Sequence, residues 1–444
     1  MGGVAALGCA AGHRVTGSDQ NVYPPMSDQL SALGIELIQG YDPAQLKLNP
    51  DVVVVGNVMS RGNALIEALL DSSIPYTSGP EWLARHVLQN RWVLAVAGTH
   101  GKTTTTGILT WILEYAGCKP GFLVGGVPSN FDATARLGDG IHFVVEADEY
   151  DTAFFDKRAK FVHYRPRTAV LNNLEHDHAD IYPDVASIQW QFHQLLRMTP
   201  RNGCVVSNGA DANLEATLKM GCWTPVERFA YEAHGRVEWH ANMLRGADGS
   251  RFEVMHAGRN VGTVEWPLMG RHNVENALAA IVAARLAGVT EGVAIEALKH
   301  FQGVRRRMEV RGVVNGITVY DDFAHHPTAI ATTLDGLRRK VGNARIIAVL
   351  EPRSNTMKLG THSAALAQAL QTADRVWLYQ APELKWDVAS AVASLGKRAS
   401  IATSIDALVD ALVNELRSGD HLLIMSNGAF GGIHGKALAR LKSN

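Results

Sequence analysis

The sequence predicts an α/β protein made of three successive parallel-sheet domains. Short apolar runs of strand length alternate with segments of helical periodicity along most of its 444 residues, a pattern typical of parallel sheets. A chain of this length corresponds to about three domains at roughly 150 residues each. We place these domains at residues 1–88, 89–307 and 308–444, divided at a polar linker near 89–90 and after a basic triplet at 305–307.

Composition excludes several classes of protein. Apolar residues make up 46% of the chain, and 42 basic residues nearly balance 43 acidic ones. This balance argues against attachment to nucleic acid or to an anionic membrane through bulk charge. No apolar run approaches the roughly 18 residues of a membrane span, and four widely spaced cysteines without a Cys-x-x-Cys pair indicate a reducing compartment. We expect a cytoplasmic protein without a nucleic-acid, membrane or obligate protein partner.

The first section begins with an apolar segment, residues 2–7, that has the composition of a helix already under way. Strands are predicted at 14–19 and 52–55, and helices at 63–70 and 81–88. A nucleotide-binding βαβ unit supplies a strand and a glycine-rich turn before its first helix, so we expect about a dozen further residues to precede Met1.

A phosphate-binding loop is predicted where the second section begins. A strand at 92–97 runs into a glycine-rich turn and then into an amphipathic helix. Glycines allow backbone N–H groups to approach phosphate oxygens, Lys102 can neutralise phosphates, and the Thr103 hydroxyl can ligate Mg²⁺. Val96 occupies the position of the first glycine in the general P-loop pattern, so this loop is shorter. The predicted nucleotide contacts here are Gly98, Thr99, His100, Gly101, Lys102, Thr103 and Thr104.

Acidic residues follow the next predicted strand, at 143–146. Because ligands bind at the carboxyl ends of parallel strands, Glu146 is placed to hold Mg²⁺. Glu149 and Asp151 are interpreted as acids of a solvated loop.

Two histidines follow the strand predicted at 168–171. His176 and His178 lie among carboxylates, but no further cysteine or histidine has the usual zinc spacing. A second Mg²⁺ site supported by His178, a zinc site and an ordinary polar loop all remain open.

Two further elements of the second section carry polar residues of interest. Asn273 and Asn276 share one face of a predicted helix that ends near 286, where they could bind a base edge or cap the helix. The arginine triplet at 305–307 could clamp a phosphoryl group or form a solvated face. Between residues 228 and 265, alternating polar and apolar residues predict a small antiparallel excursion.

The third section is predicted to contain four βα units. Their strands are placed at 317–320, 345–350, 375–379 and 421–425, with helices at 328–340 and 405–416. Polar residues after two of these strands are candidates for an acceptor-binding site, although ordinary loop residues would look the same. They are Arg353, Asn355, Lys358 and Ser426.

Taken in order, these motifs resemble those of the Mur ligases, the ATP-dependent amide-forming enzymes of peptidoglycan metabolism. The matching stretches are GTHGKT at 98–103, EADE at 146–149, NLEHDH at 173–178, HNVEN at 272–276, RR at 306–307 and DDFAHHP at 321–327. Residues 17–26, 154–158 and 350–358 resemble the branch that attaches a recycled tripeptide, L-Ala-γ-D-Glu-meso-diaminopimelate, to UDP-N-acetylmuramate. The branch that adds L-alanine is less similar.

The resemblance implies three domains and a set of catalytic roles. An N-terminal Rossmann-like domain, whose first strand would precede Met1, would bind UDP-N-acetylmuramate. A central P-loop-type domain would bind ATP, and a C-terminal Rossmann-like domain would bind the peptide. Lys102 and Arg307 would offset charge on the transferred phosphoryl group. Thr103 and Glu146 would hold one Mg²⁺, and His178 would help to hold a second.

The resemblance also implies contacts with the substrates. Asn273 would contact the adenine of ATP, and Asp322 its ribose. The remaining substrate candidates are Ser18, Asp19, Arg353, Asn355, Lys358 and Ser426. Two alternatives to the tripeptide ligase stay open: a ligase that adds L-alanine, and a nucleotide-dependent switch or binding module without ligase activity.

Overall fold

The structure, a computed structural model, describes residues 1–22, 26–244 and 248–443. Its main sheets follow one another along the chain, and the two larger sheets carry helices on both faces. Within these residues, no helix combines the length and apolar composition needed to cross a bilayer. Short 3₁₀ helices occur at Pro43–Leu48, Lys160–His163, Ala393–Arg398 and Phe430–Gly432.

The first section contains two separate pairs of parallel strands. Its helices are α1 (Gly2–Ala10), α2 (Met26–Ala32), α3 (Ala64–Leu70) and α4 (Gly79–His86), and its strands are β1 (Thr16–Asp19), β2 (Glu36–Gln39), β3 (Val53–Val55) and β4 (Tyr76–Ser78). Strand β1 pairs with β2, and β3 pairs with β4. The helix expected at the start of the chain is confirmed, as are β1 and β3, whereas β2 and β4 were not predicted. Leu7 and Trp82 of this section pack into the core of the next.

The second section is built on a ten-stranded sheet and a separate two-stranded hairpin. The strands of the section are β5 (Trp92–Ala97), β6 (Gly121–Leu123), β7 (Ala135–Arg136), β8 (His142–Glu146), β9 (Asp151–Ala153), β10 (Asp156–Ala159), β11 (Thr168–Leu171), β12 (Cys204–Asn208), β13 (Val226–Ala230), β14 (Trp239–Met243), β15 (Arg251–His256) and β16 (Arg259–Glu265). Its helices are α5 (Lys102–Tyr115), α6 (Val185–Met198), α7 (Ala212–Lys219), α8 (Arg271–Leu286) and α9 (Glu291–Lys299).

The strand order of this sheet places β5 between β11 and β8, in the order β16-β15-β14-β13-β12-β11-β5-β8-β6-β7. These three central strands are parallel, so the residues that follow them meet at one edge of the sheet. Strands β9 and β10 form a separate antiparallel hairpin. The antiparallel excursion is confirmed for β14 to β16, but β13 pairs in parallel with both neighbours and extends the main sheet.

The third section has a six-stranded sheet in the order β17-β18-β22-β19-β20-β21. Its strands are β17 (Glu309–Val314), β18 (Ile317–Asp322), β19 (Ile346–Leu350), β20 (Arg375–Tyr379), β21 (Ala399–Ala402) and β22 (His421–Met425). Its helices are α10 (Pro327–Val341), α11 (Asn355–Lys358), α12 (Ser363–Ala369), α13 (Val388–Ala391), α14 (Ile405–Glu415) and α15 (Ile433–Ser443). Only the β17–β18 pairing is antiparallel among these described strands. The four predicted strands are confirmed, and β17 and β21 flank them.

Candidate active site

The phosphate loop joins β5 to α5 at the centre of the large sheet. Gly98 and Gly101 have φ angles of 149° and 77°, a region that favours glycine. A Cβ at Gly101 would lie 2.4 Å from Oδ1 of Asn276, so the loop depends on the absence of a side chain there. The free N–H groups at the start of α5 face the loop and favour a bound anion.

Residues after β11 hold the loop from the neighbouring strand. The backbone N–H of His100 donates to Oδ1 of Asn173 at 2.7 Å, and the N–H of Thr99 donates to the Asn173 carbonyl at 3.1 Å. The Glu175 N–H donates to the Thr99 hydroxyl at 2.9 Å. Thr104 is buried in the first turn of α5. Hydrogen bonds to the segment after β11 therefore hold the phosphate loop in this conformation.

Lys102 lies in a buried ion-pair network. Its Nζ is 2.8 Å from Oε2 of Glu149 and 3.8 Å from Oδ1 of Asp148. Burial disfavours the charged amine, but the two carboxylates outweigh this effect and raise the pKa of Lys102. Burial also opposes the charge of Asp148, whose pKa is nevertheless lowered by Lys160 and Lys102. Lys102 therefore keeps its positive charge at neutral pH.

The interpretation of Glu149 as a solvated acid is wrong. Its side chain is 1% exposed and contacts both Lys102 and His178. Burial alone would raise the pKa of Glu149, but the charge of Lys102 and the hydrogen bond with His178 lower it. Asp151, interpreted in the same way, pairs with Lys157 at 2.6 Å on the β9–β10 hairpin. The sequence contained a signal that Glu149 and Asp151 differ in burial, because Glu149 lies closer to the end of β8 than Asp151 does.

Thr103, Glu146 and Arg307 converge from three segments of the chain. The Thr103 hydroxyl donates to Oε1 of Glu146 at 2.9 Å, and Nη2 of Arg307 lies 3.2 Å from the same hydroxyl oxygen. Two adjacent ligands of an octahedral Mg²⁺ with bonds of about 2.0–2.1 Å lie about 2.9 Å apart. The separation in the structure is that of a hydrogen bond, and the two oxygens are of the type that Mg²⁺ prefers.

The two other arginines of the triplet contact different partners. Arg305 pairs with Asp132 at 2.6 Å. Arg306 donates to the carbonyls of Ser426 and Gly428 at 2.7 and 2.6 Å. Burial lowers the pKa of Arg307. Because the usual pKa of arginine is very high, the guanidinium still stays charged at neutral pH.

His176 and His178 point to different partners. Nε2 of His178 lies 3.2 Å from Oε1 of Glu149, whereas Nε2 of His176 lies 3.0 Å from the Tyr182 carbonyl. Burial acts to lower the pKa of His178, but Glu149 raises it overall. Asp148, Glu149 and His178 bring one ligand atom each within 4.8 Å of one another, which matches a second cation site that includes His178.

The residues considered for adenine and ribose are buried and partly engaged. Nδ2 of Asn273 donates to the Met269 carbonyl at 2.7 Å. Asn276 accepts at Oδ1 from the Thr105 hydroxyl at 3.0 Å, so it supports α5. Asp322 accepts the N–H groups of two backbone residues, at 2.7 and 2.8 Å, and burial raises the pKa of its carboxyl.

The acceptor candidates of the third section follow β19 and β22, and Asn355 contacts the segment after β11 that contains His176 and His178. Ser426 is buried and donates to Oε2 of Glu351. The exposed Arg353 lies 3.9 Å from Glu351, and Nδ2 of Asn355 donates to Oδ2 of Asp180 at 2.9 Å. Lys358 ends α11 and is half-buried.

The candidates of the first section lie elsewhere. Ser18 and Asp19 end β1, and Asp19 accepts the N–H of Asn21 at 3.0 Å. Within the described ranges, no hydrogen bond joins either side chain to the phosphate loop.

A phosphate loop beside two acidic strand ends, with an arginine reaching it from the end of the same section, defines a nucleotide-binding α/β enzyme. Comparison with known families gives the class directly. The chain matches the "Mur ligase family, catalytic domain" at residues 1–91, the "Mur ligase middle domain" at 96–284 and the "Mur ligase, glutamate ligase domain" at 306–428. It belongs to the Mur ligase family.

Similar proteins span nearly the whole chain. The UDP-N-acetylmuramate--L-alanyl-gamma-D-glutamyl-meso-2,6-diaminoheptandioate ligase of Escherichia coli (strain K12) is 56% identical over 439 residues, which cover 99% of this chain and 95% of that protein. The ligase of the same name from Haemophilus influenzae is 52% identical, with 100% and 97% covered. A crystal structure of a murein peptide ligase from Psychrobacter arcticus 273-4 is 46% identical, with a TM-score of 0.78 and 100% and 97% covered. The predicted α/β architecture and family are confirmed.

Proposed function

We propose that this chain joins the tripeptide L-Ala-γ-D-Glu-meso-diaminopimelate to UDP-N-acetylmuramate at the expense of ATP, in murein recycling. The observation that carries the proposal is the 56% identity, over 99% of the chain, to a ligase named for these two substrates. The domain divisions after residues 88 and 307 and a cytoplasmic location belong to the same proposal, as does action without an obligate protein partner.

The reaction needs an activated carboxylate, because a carboxylate and an amine do not condense unaided in water. The bond between the γ-phosphorus of ATP and its bridging oxygen breaks, and a bond to an oxygen of the lactyl carboxylate forms. The alanyl amine of the tripeptide then attacks the acyl carbon, loses a proton and displaces phosphate. Positioning and charge stabilisation supply most of the catalysis in such transfers.

Lys102 and Arg307 are placed to stabilise the transferred phosphoryl group. Lys102 stays charged because Glu149 and Asp148 raise its pKa, and Nη2 of Arg307 lies 3.2 Å from the Thr103 hydroxyl. Both cations therefore lie at the start of α5, where the terminal phosphates of a bound nucleotide would bind.

Thr103 and Glu146 would hold one Mg²⁺, and His178 would help to hold a second. When bound, such an ion neutralises phosphate charge and orients the phosphate oxygens. The meeting of the Thr103 hydroxyl and the Glu146 carboxylate beside the phosphate loop supports the first site, and the convergence of Asp148, Glu149 and His178 supports the second.

The nucleoside and the acceptor would be bound across the second and third sections. Each oxygen of Asp322 accepts one backbone N–H, so each keeps a lone pair for a ribose hydroxyl. Asn273 likewise keeps one amide hydrogen for the adenine. Arg353, Asn355, Lys358 and Ser426 would meet the carboxylates of the tripeptide, whereas Ser18 and Asp19 would contact the UDP-sugar.

A phosphate-release assay tests the proposal. We expect release that requires ATP, Mg²⁺, UDP-N-acetylmuramate and the tripeptide together. Replacing the tripeptide with free L-alanine should reduce the rate strongly. Efficient turnover with L-alanine and none with the tripeptide would reassign the acceptor. ATP hydrolysis that ignores both substrates would instead indicate a nucleotide switch.

A further inference from the structure

Lys160 places a further positive charge beside the phosphate loop. It follows β10 and begins the short 3₁₀ helix Lys160–His163, and its backbone N–H donates to the Tyr150 carbonyl at 3.0 Å. Its Nζ lies 2.8 Å from Oδ2 of Asp148, while Oδ1 of Asp148 lies 3.8 Å from Nζ of Lys102. Asp148 therefore lies between two lysines, and Lys160 is the one outside the phosphate loop.

The segment that carries Lys160 is attached to the first section. Phe154, in the turn between β9 and β10, packs against the small core of that section. The ring of Phe155 lies 5.1 Å from that of Tyr76, the first residue of β4. The 3₁₀ helix itself packs against α4, which directly follows β4. Lys160 therefore lies where the first section meets the phosphate site.

The Lys160 ammonium group keeps hydrogen-bonding capacity for a substrate. Its side chain is 21% exposed, and Asp148 takes one of its three N–H groups, which have no other hydrogen-bond partner among the described residues. The Tyr150 ring, whose centroid lies 5.6 Å from Nζ, favours the positive charge. Lys157 and Arg158 of the hairpin differ, because they pair with acids of the hairpin itself and are 69% and 63% exposed.

The function proposed above requires a cation for the sugar carboxylate. The lactyl carboxylate must approach a terminal phosphate that is itself negative, so the repulsion between the two has to be offset. Lys102 and Arg307 lie at the start of α5, where the phosphates would bind, whereas Lys160 lies toward the first section, where the sugar nucleotide would bind.

We infer that Lys160 binds the lactyl carboxylate of UDP-N-acetylmuramate and holds it toward the terminal phosphorus, with Asp148 positioning the ammonium group. This contact rests on the proposed function and adds a residue that distinguishes this sugar nucleotide from one without a carboxylate on the sugar. A charged hydrogen bond between a lysine and a carboxylate is stronger than one between neutral groups.

Two sugar nucleotides test this contact, because UDP-N-acetylglucosamine lacks the lactyl group that UDP-N-acetylmuramate carries. Calorimetric titration of each into the full chain, with Mg²⁺ and a non-hydrolysable ATP analogue bound, gives both dissociation constants. Lys160→Met should weaken binding of UDP-N-acetylmuramate at least about 10-fold and leave that of UDP-N-acetylglucosamine within about 2-fold. Lys160→Gln, which can still donate to Asp148, should show the same selective loss. In the phosphate-release assay, the KM for UDP-N-acetylmuramate should rise and the KM for ATP should not.

Lys157→Met is the matched control, since it removes an exposed lysine of the same hairpin. It should bind both sugar nucleotides like the original protein, and thermal unfolding shows whether each variant folds. Equal weakening of both sugar nucleotides by the Lys160 variants, or weakening of neither, would overturn the contact with the carboxylate. Failure of the original protein to bind UDP-N-acetylmuramate would count against the proposed function itself.

Discussion

Replacing Lys102 with methionine should destabilise the second section as well as abolish activity. The substitution removes the cation that lies 2.8 Å from Glu149, whose side chain is only 1% exposed. Removing one partner of a buried ion pair costs about 3–5 kcal/mol, because the other charge stays buried with less compensation. For Glu149, the contact with His178 is the one that would remain among those described above. For a unit of about 150–250 residues this cost lowers the melting temperature by about 2–4 °C per kcal/mol, or about 6–20 °C in total.

A double variant separates stability from catalysis. Lys102→Met combined with Glu149→Gln leaves no uncompensated charge at this position, so calorimetry should show that it recovers most of the lost melting temperature. Phosphate release should stay at least about 10²-fold below that of the original protein in both variants, because the charge at the phosphates is missing. A Lys102→Met variant that melts like the original protein, or a double variant no more stable than the single one, would show that no buried ion pair stabilises this position.

Three further predictions concern the same site. Gly101→Ala should weaken ATP binding at least about 10-fold, measured by calorimetric titration, because the new Cβ would clash with Asn276 of α8. Gly117→Ala is the control, since Gly117 has a φ of 76° and a Cβ there would have nothing within 4 Å, so ATP should bind normally. Equal losses in both variants would contradict the clash. The pKa of His178, followed by NMR, should lie above about 6.5 and should fall in Glu149→Gln. The contact between His178 and Glu149 therefore stabilises the fold below about pH 6.5, and this stabilisation is lost as the pH rises through the folded-state pKa. An unchanged titration of His178 in Glu149→Gln would exclude the pairing of these two residues. Glu146→Gln should raise the Mg²⁺ concentration needed for half-maximal phosphate release, and an unaltered Mg²⁺ dependence would remove Glu146 from the metal site.

Strands with continuous apolar runs could be predicted from the sequence, whereas β2 and β4 were missed. The four strands β5, β11, β20 and β22 were predicted at their observed bounds because their apolar runs are typical of strands in a buried parallel sheet. Strands β2 and β4 have four and three residues, with mixed polarity, and their pairing depends on neighbours far along the chain. The expected segment before Met1 stays a prediction.

The candidate site shows the same division. The phosphate loop and Glu146 are local motifs next to strands, so their positions followed from the sequence. The burial of Glu149 and its pairing with Lys102 depend on the adjacency of β5 and β8. The pairing of Lys160 with Asp148 depends on how the β9–β10 hairpin folds. Such contacts have no local pattern.

A crystal structure with a non-hydrolysable ATP analogue, Mg²⁺ and UDP-N-acetylmuramate bound tests the phosphoryl-transfer site most directly. We expect the γ-phosphate to lie between Lys102 and Arg307, with Thr103 and Glu146 on the metal and the sugar carboxylate facing the terminal phosphorus. A nucleotide bound away from the turn at 98–103, or a terminal phosphate that contacts neither Lys102 nor Arg307, would contradict this expectation.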